Sequence, residues 1–183
     1  MSERIGLFGG SFNPPHVAHV LAVHYALSVW PLDRILVVPN FQHPFGKELA
    51  NFDHRFEMTR LAFRHLGPNV EISAVERDLG EVSYTIDTVR ELKRRYADTQ
   101  FRLIVGSDIL DEVDRWKDAD QLAQLAPRIV LPRLIAGQEP IGYFLPAISS
   151  TEIREGLTTG KDLTAMVPRD VLAYIDKHKL YRG

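Results

Sequence analysis

"RIGLFGGSFNPPHVAHV", Arg4 to Val20, runs from a short apolar stretch through two glycines and two prolines to a pair of histidines three residues apart. The apolar run "RIGLF" (4–8) predicts a strand, and a helix is predicted from His16 to Val29. Between them, Gly9 and Gly10 allow the backbone to approach a ligand or a neighbouring strand closely. A helix opening near Pro15 or His16 puts the cap on Pro14 or Pro15, neither of which carries a side-chain acceptor. The first-turn N–H groups must then look to Asn13, Ser11, water or an external anion. The positive end of a helix dipole suits phosphate, and His16 and His19, on one face of the first turn, can both donate to its oxygens. Two other readings fit less well. An H-x-x-H pair can ligate zinc, but the accompanying Glu and a third ligand are missing. The dinucleotide fingerprint G-x-G-x-x-G is absent, since Gly6, Gly9 and Gly10 have the wrong spacing.

Outward from this stretch, short β-branched runs alternate with helical ones. Further strands are expected at "RILVVP" (34–39), "VEISAVE" (70–76), "FRLIVG" (101–106) and "RIVLP" (128–132). Several are nearly continuous apolar runs, as in parallel strands covered on both faces. Helices are expected at Asp53–His65, with Phe56, Leu61, Phe63 and Leu66 as its apolar stripe, at Thr85–Tyr96 and at Asp118–Leu125. A short helix after "ISS" and a last one over "PRDVLAYIDKH" complete the set. This alternation predicts an α/β fold, a Rossmann-like doubly wound parallel sheet with flanking helices, in one domain over residues 1–183. Ligands in such sheets bind beyond the carboxyl ends of the strands, here segments 9–19, 39–47, 106–116 and 132–154.

Composition narrows the function classes. The chain has 183 residues, 45% hydrophobic and 25% charged, as in ordinary globular proteins. A formal net charge of -2 argues against a broad grip on nucleic acid, though not against a local basic pocket for a small anion. No cysteine is present, which excludes disulfides and thiolate sites and suits a cytoplasmic location. No apolar run approaches the ~20 residues that span a bilayer, and no signal-peptide core is evident, so no membrane association is expected. Oligomeric state is not legible.

"GGSFNPPHVAH" resembles the nucleotidyltransferase signature G-G-[ST]-F-[DN]-P-x-H-x-G-H, and "ISSTEIR" (148–154) resembles the second signature of the same superfamily. Between them, "SYTIDTVREL" (83–92), "LIVGSDIL" (103–110) and the region of Trp116 are similar to the bacterial nicotinate (nicotinamide) nucleotide adenylyltransferases, as is the ending "VPRDVLAYIDKHKLYR". The likeness thus runs from residue 4 to residue 182 in the family's order.

The resemblance implies catalytic roles for His16 and His19. It implies ATP contacts at Gly9, Gly10, Ser11, Phe12, Gly106, Asp108, Ser149, Ser150, Thr151 and Arg154. Thr85 and Trp116 stand where the family recognises the pyridine ring, by polar contact and by stacking. Physically, Ser149 to Thr151 offer hydroxyls and N–H groups at a second helix mouth, and Arg154 a permanently charged fork. The same residues would equally cap a plain surface helix, and Asp108 would equally cap the helix after strand four. Three departures stand out. Ala18 replaces the glycine of H-x-G-H, Asn13 replaces the commoner aspartate, and "PNFQHPFGKELANFDHR" replaces the usual P-P-H-K loop. Lys47 is the nearest cation for a substrate phosphate, and Arg133 stands where the family often has a basic residue for it; taken alone, both read more simply as solvated loop charges.

The activity implied is adenylyl transfer from ATP to the 5′-phosphate of a pyridine mononucleotide, with Mg2+ held by the phosphates and no metal site in the protein. Two alternatives remain at this point. One is another phosphate-bearing acceptor such as phosphopantetheine. The other is a nucleotide-binding regulator that has lost catalysis.

Overall fold

The structure is a computed structural model and describes residues 2–42, 48–80, 84–133 and 144–182. Five strands form one parallel sheet: β1 (Arg4–Gly10), β2 (Arg34–Pro39), β3 (Val70–Ile72), β4 (Gln100–Gly106) and β5 (Arg128–Leu131), in the order β3-β2-β1-β4-β5. The order reverses direction between β1 and β4. The carboxyl ends of these two strands, at Gly10 and Gly106, therefore flank the switch point where doubly wound sheets bind ligands.

Alternation along each strand divides the core in two. Phe8, Ile35, Val37, Ile104, Ile129 and Leu131 face one layer, with α1 (Val17–Val29), α2 (Phe52–Phe63), α7 (Ser150–Thr159) and α8 (Arg169–His178). Ile5, Leu7, Leu36, Val38, Leu103 and Val105 face the other. Against them lie α3 (Val75–Leu79), α4 (Thr85–Arg95), α5 (Leu110–Val113) and α6 (Ala119–Leu125). Apolar side chains two apart thus reach the same core, and both faces are covered, which explains the near-continuous apolar runs in the sequence.

Local differences from the sequence reading have physical causes. Strand β3 stops at Ile72, and the rest of "VEISAVE" turns into α3, where Val75 is buried on the helical side. Helix α1 starts at Val17, so its cap is His16 rather than a proline. In α2 the buried face is Phe52, Arg55, Met58, Thr59, Ala62 and Phe63, with Phe56 and Leu61 only half-buried. The helix is therefore rotated relative to the stripe expected from its apolar residues, and an arginine sits on its inner side. In α4, Ile86, Val89 and Leu92 are buried at helical spacing, and Glu91 pairs with Arg95 at 2.7 Å.

Candidate active site

The turn after β1 is shaped by its aromatic residue. Phe12 has φ 45, uncommon for a non-glycine residue, and its buried ring packs edge-on against Phe8, His19 and Phe63. A Cβ on Gly10 would come within 3.1 Å of that ring, so any larger residue there has to push the buried Phe12 ring by a few tenths of an ångström. Asn13 and Pro14 are joined by a cis peptide bond. Asn13 is buried, and its Oδ1 accepts from the Ala50 N–H at 3.1 Å and from the Tyr181 hydroxyl at 2.9 Å.

His16 and His19 then meet at the mouth of α1. Their rings stack with centroids 3.6 Å apart, and the His16 N–H donates to His19 Nδ1 at 3.2 Å. That bond fixes the neutral tautomer of His19: Nδ1 accepts, so Nε2 carries the proton and is a donor. Burial holds His19 well below its usual pKa, helped by His16 and then by Arg133. His16 is only 3% exposed, and burial, with Arg133 second, lowers its pKa to about 3. Both rings are therefore uncharged at neutral pH in the free protein. The Nδ1 of His16 is buried without a partner among the described residues. Such an atom costs about 1–3 kcal/mol and marks a site shaped for something other than stability.

The expectation that the first-turn N–H groups are left open is corrected in part. Val17 N–H donates to Met166 O at 2.9 Å, and that of His16 is taken by His19. Ala18 is 7% exposed, so its methyl is mostly covered by protein.

The second signature touches the first directly. Ser150 Oγ donates to Pro14 O at 2.8 Å, and Arg154 Nη1 donates to Asn13 O at 2.8 Å while Nη2 reaches Thr151 Oγ1 at 3.1 Å. Ser149 caps α7 by accepting from Glu152 N–H at 3.1 Å. Buried Ile153 anchors this helix in the core. Two segments more than 130 residues apart thus form one wall.

Gly106 ends β4, and a Cβ there would overlap Asp108 Oδ1, so glycine allows the carboxylate to fold back against the strand end. Asp108 Oδ2 accepts from Arg133 Nη1 at 2.9 Å, and Arg133 Nη2 reaches Ile148 O at 2.8 Å. Asp108 and Arg133, assigned to different ligands on sequence grounds, are thus partners in the free protein. Thr85 opens α4, and Trp116 is half-buried against the second core layer. Their segments are tied by Lys117, which pairs with Asp87 at 3.1 Å and lies 4.8 Å over the Tyr84 ring. Lys47 lies outside the described residues.

Two contributors are not singled out by the sequence. Tyr181 stands there only as part of a typical ending, yet its hydroxyl holds Asn13. Arg55 reads as a solvent-facing helix residue, but is 1% exposed. The available signal is its place on the inner face with Phe52, Met58 and Thr59, at helical spacing.

A Rossmann-like sheet with a histidine pair beyond β1 and a Ser-Thr-Arg helix mouth against it defines the nucleotidyltransferase class. The cytidylyltransferase-like family profile matches residues 7–156. The chain is 44% identical to a probable nicotinate-nucleotide adenylyltransferase of Anaeromyxobacter dehalogenans, over 99% of this chain and 98% of that one. It is 40% identical to a protein of the same name from Thermus thermophilus, over 98% and 100% of the two chains. In fold it is similar to the Plasmodium falciparum nicotinic acid mononucleotide adenylyltransferase complexed with NaAD, with TM-score 0.83 and 22% identity over 98% and 97% of the two chains. This chain belongs to the nicotinate-nucleotide adenylyltransferase family.

Proposed function

We propose that the protein transfers the adenylyl group of ATP to the 5′-phosphate of nicotinate mononucleotide, forming the dinucleotide and pyrophosphate in NAD biosynthesis. The observation that carries the reading is the stacked, neutral His16–His19 pair at the switch point, with the second signature bonded to the turn in front of it. The names of its relatives, 35–44% identical over nearly the whole chain, support nicotinate rather than nicotinamide mononucleotide as acceptor.

The chemistry needs little from side chains. A phosphomonoester is already largely dianionic at neutral pH. Its oxygen attacks the α-phosphorus of ATP, the bond from that phosphorus to the bridging oxygen breaks, and pyrophosphate leaves with the electron pair. No general base is required. Catalysis is then alignment and stabilisation of charge on the transferring phosphoryl group. His19 serves through Nε2–H, with His16 stacked against it. Gly9 to Phe12, Gly106 and Asp108 line the ATP side, and Ser149 to Thr151 and Arg154 hold the β/γ end. Thr85 and Trp116 meet the pyridine ring, whose positive charge suits an indole face. Lys47 and Arg133 serve the acceptor phosphate, Arg133 after exchanging a contact with Asp108.

Among the described residues, no three His, Cys, Asp or Glu side chains cluster as metal ligands. In this reading Mg2+ enters on the triphosphate, where it would neutralise phosphate charge. No helix among the described residues is long and apolar enough to cross a membrane. We place the protein in the cytoplasm, a reducing compartment that suits a chain without cysteine. Release of pyrophosphate from ATP in the presence of nicotinate mononucleotide, with nicotinamide mononucleotide and phosphopantetheine as comparison acceptors, tests the reading.

A further inference from the structure

Arg55, on the inner face of α2, donates four hydrogen bonds, all to main-chain carbonyls. Nε reaches Ala50 O at 2.8 Å, Nη1 reaches Ser11 O at 2.9 Å and Asn40 O at 2.7 Å, and Nη2 reaches Phe41 O at 3.0 Å. These acceptors belong to three separate stretches: the turn after β1, the exit of β2, and the residues that lead into α2. The guanidinium also lies over the Phe52 ring, 5.5 Å from its centroid.

Other bonds close the same frame. Asn40 N–H donates to Gly10 O at 2.9 Å, and Ala50 N–H donates to Asn13 Oδ1 at 3.1 Å. The turn that delivers His16 and His19 is therefore held at Gly10 and Asn13 by the two ends of the segment following β2, and at Ser11 by Arg55. Arg55 is the one side chain among the described residues that bonds to all three stretches.

An arginine buried in this way is an unusual choice for stability alone. Its charge must be desolvated, and burial lowers its pKa. What the planar fork offers is geometry: four carbonyls held at fixed angles by one rigid group, which neither lysine nor an apolar residue reproduces.

We infer that Arg55 is a positioning residue for adenylyl transfer. It sets the height of the Ser11 turn, and so of the His16–His19 pair, against the exit of β2, without touching either substrate. The inference rests on the activity proposed above. Loss of this frame should act on the reaction step more than on ATP binding, because alignment is what the chemistry uses.

The test compares Arg55→Lys and Met58→Ala. Met58 is fully buried on the same face of the same helix and makes none of these carbonyl contacts, so it reports destabilisation without loss of the frame. With ATP, Mg2+ and nicotinate mononucleotide, and well below both Tm values, Arg55→Lys should lose about 10–100-fold in kcat while KM for ATP changes by about threefold or less. Met58→Ala should lose Tm and keep its kcat. A second variant, Arg55→Ala, is prepared and assayed with and without ethylguanidinium, which should restore kcat in a saturable manner where urea does not. If Arg55→Lys fails to fold, the ethylguanidinium response decides alone. Arg55→Lys with parental kcat, kcat loss in Met58→Ala equal to that in Arg55→Lys, or absence of guanidinium-specific rescue overturns the inference. Wild-type protein that releases no pyrophosphate overturns the proposed activity instead.

Discussion

The ring of His16 lies over that of His19 with centroids 3.6 Å apart, while the His16 N–H donates to His19 Nδ1. His19 therefore has two roles, one through each nitrogen. Nδ1 serves the helix mouth, and Nε2–H is the donor proposed above to meet the transferring phosphate.

His19→Ala separates the two roles. Loss of the acceptor at the helix mouth should cost about 1 kcal/mol, a Tm decrease of roughly 2–4 °C in a chain of this size. Loss of the donor should lower kcat by about 10²–10³-fold with a much smaller change in KM for ATP, as for other preorganised donors. Thermal melts and steady-state kinetics on one preparation give both numbers.

The pH dependence of stability follows from the same pair. His16 has a folded pKa of about 3 against 6.5 in the unfolded chain. Between those values the unfolded state binds more protons, so stability rises with pH across the window and is complete above the unfolded pKa. Acidification from pH 7 should lower Tm progressively, with His19 acting in the same direction. In His16→Gln the slope of Tm against pH should be shallower over this range. Melts at several pH values, with the parent alongside, measure that slope.

Gly106, Asp108 and Arg133 form a coupled unit. Gly106→Ala puts a methyl where the Asp108 carboxylate now lies and should expel it from its bond to Arg133. KM for ATP should rise. Addition of Asp108→Ala to that background should change little, because the two substitutions remove the same contact. The Asp108–Arg133 pair itself is partly exposed, and a double-mutant cycle on stability should give about 0.2–1 kcal/mol.

Ala18→Gly restores the residue common in the family signature. Because the Ala18 methyl is mostly covered by protein, its removal should cost about 0.5–1 kcal/mol of helix stability. The change in kcat should be under about twofold, since the donor of His19 is untouched. A large gain in kcat would show that the methyl obstructs the nucleotide.

The sheet is legible because most of its strands stand out as short, nearly continuous apolar runs: "RILVVP" spans β2 over the same residues, 34–39. The C-terminal half of "VEISAVE" is not, since Val75 is equally apolar on a strand or a helix and only packing under α4 decides. The histidine pair is legible as a pair, but its stacking and the bond from His16 N–H depend on the cap falling at His16, one residue later than the prolines suggest. Arg55 is hidden because a charged side chain reads as solvent-facing. Its burial depends on four carbonyls brought from distant parts of the chain, and main-chain acceptors leave no trace in residue types. The Asp108–Arg133 contact is hidden for a related reason. It joins side chains just past the ends of the paired strands β4 and β5, and which charged groups meet there has no periodic signal.

The most direct measurement is pyrophosphate release by the purified protein with ATP and Mg2+, acceptor by acceptor. The account predicts release with nicotinate mononucleotide, much less with nicotinamide mononucleotide, none with phosphopantetheine, and loss of release in His19→Ala. Absence of release with every acceptor, from folded protein that still binds ATP, would contradict it and leave a nucleotide-binding protein without the transferase step.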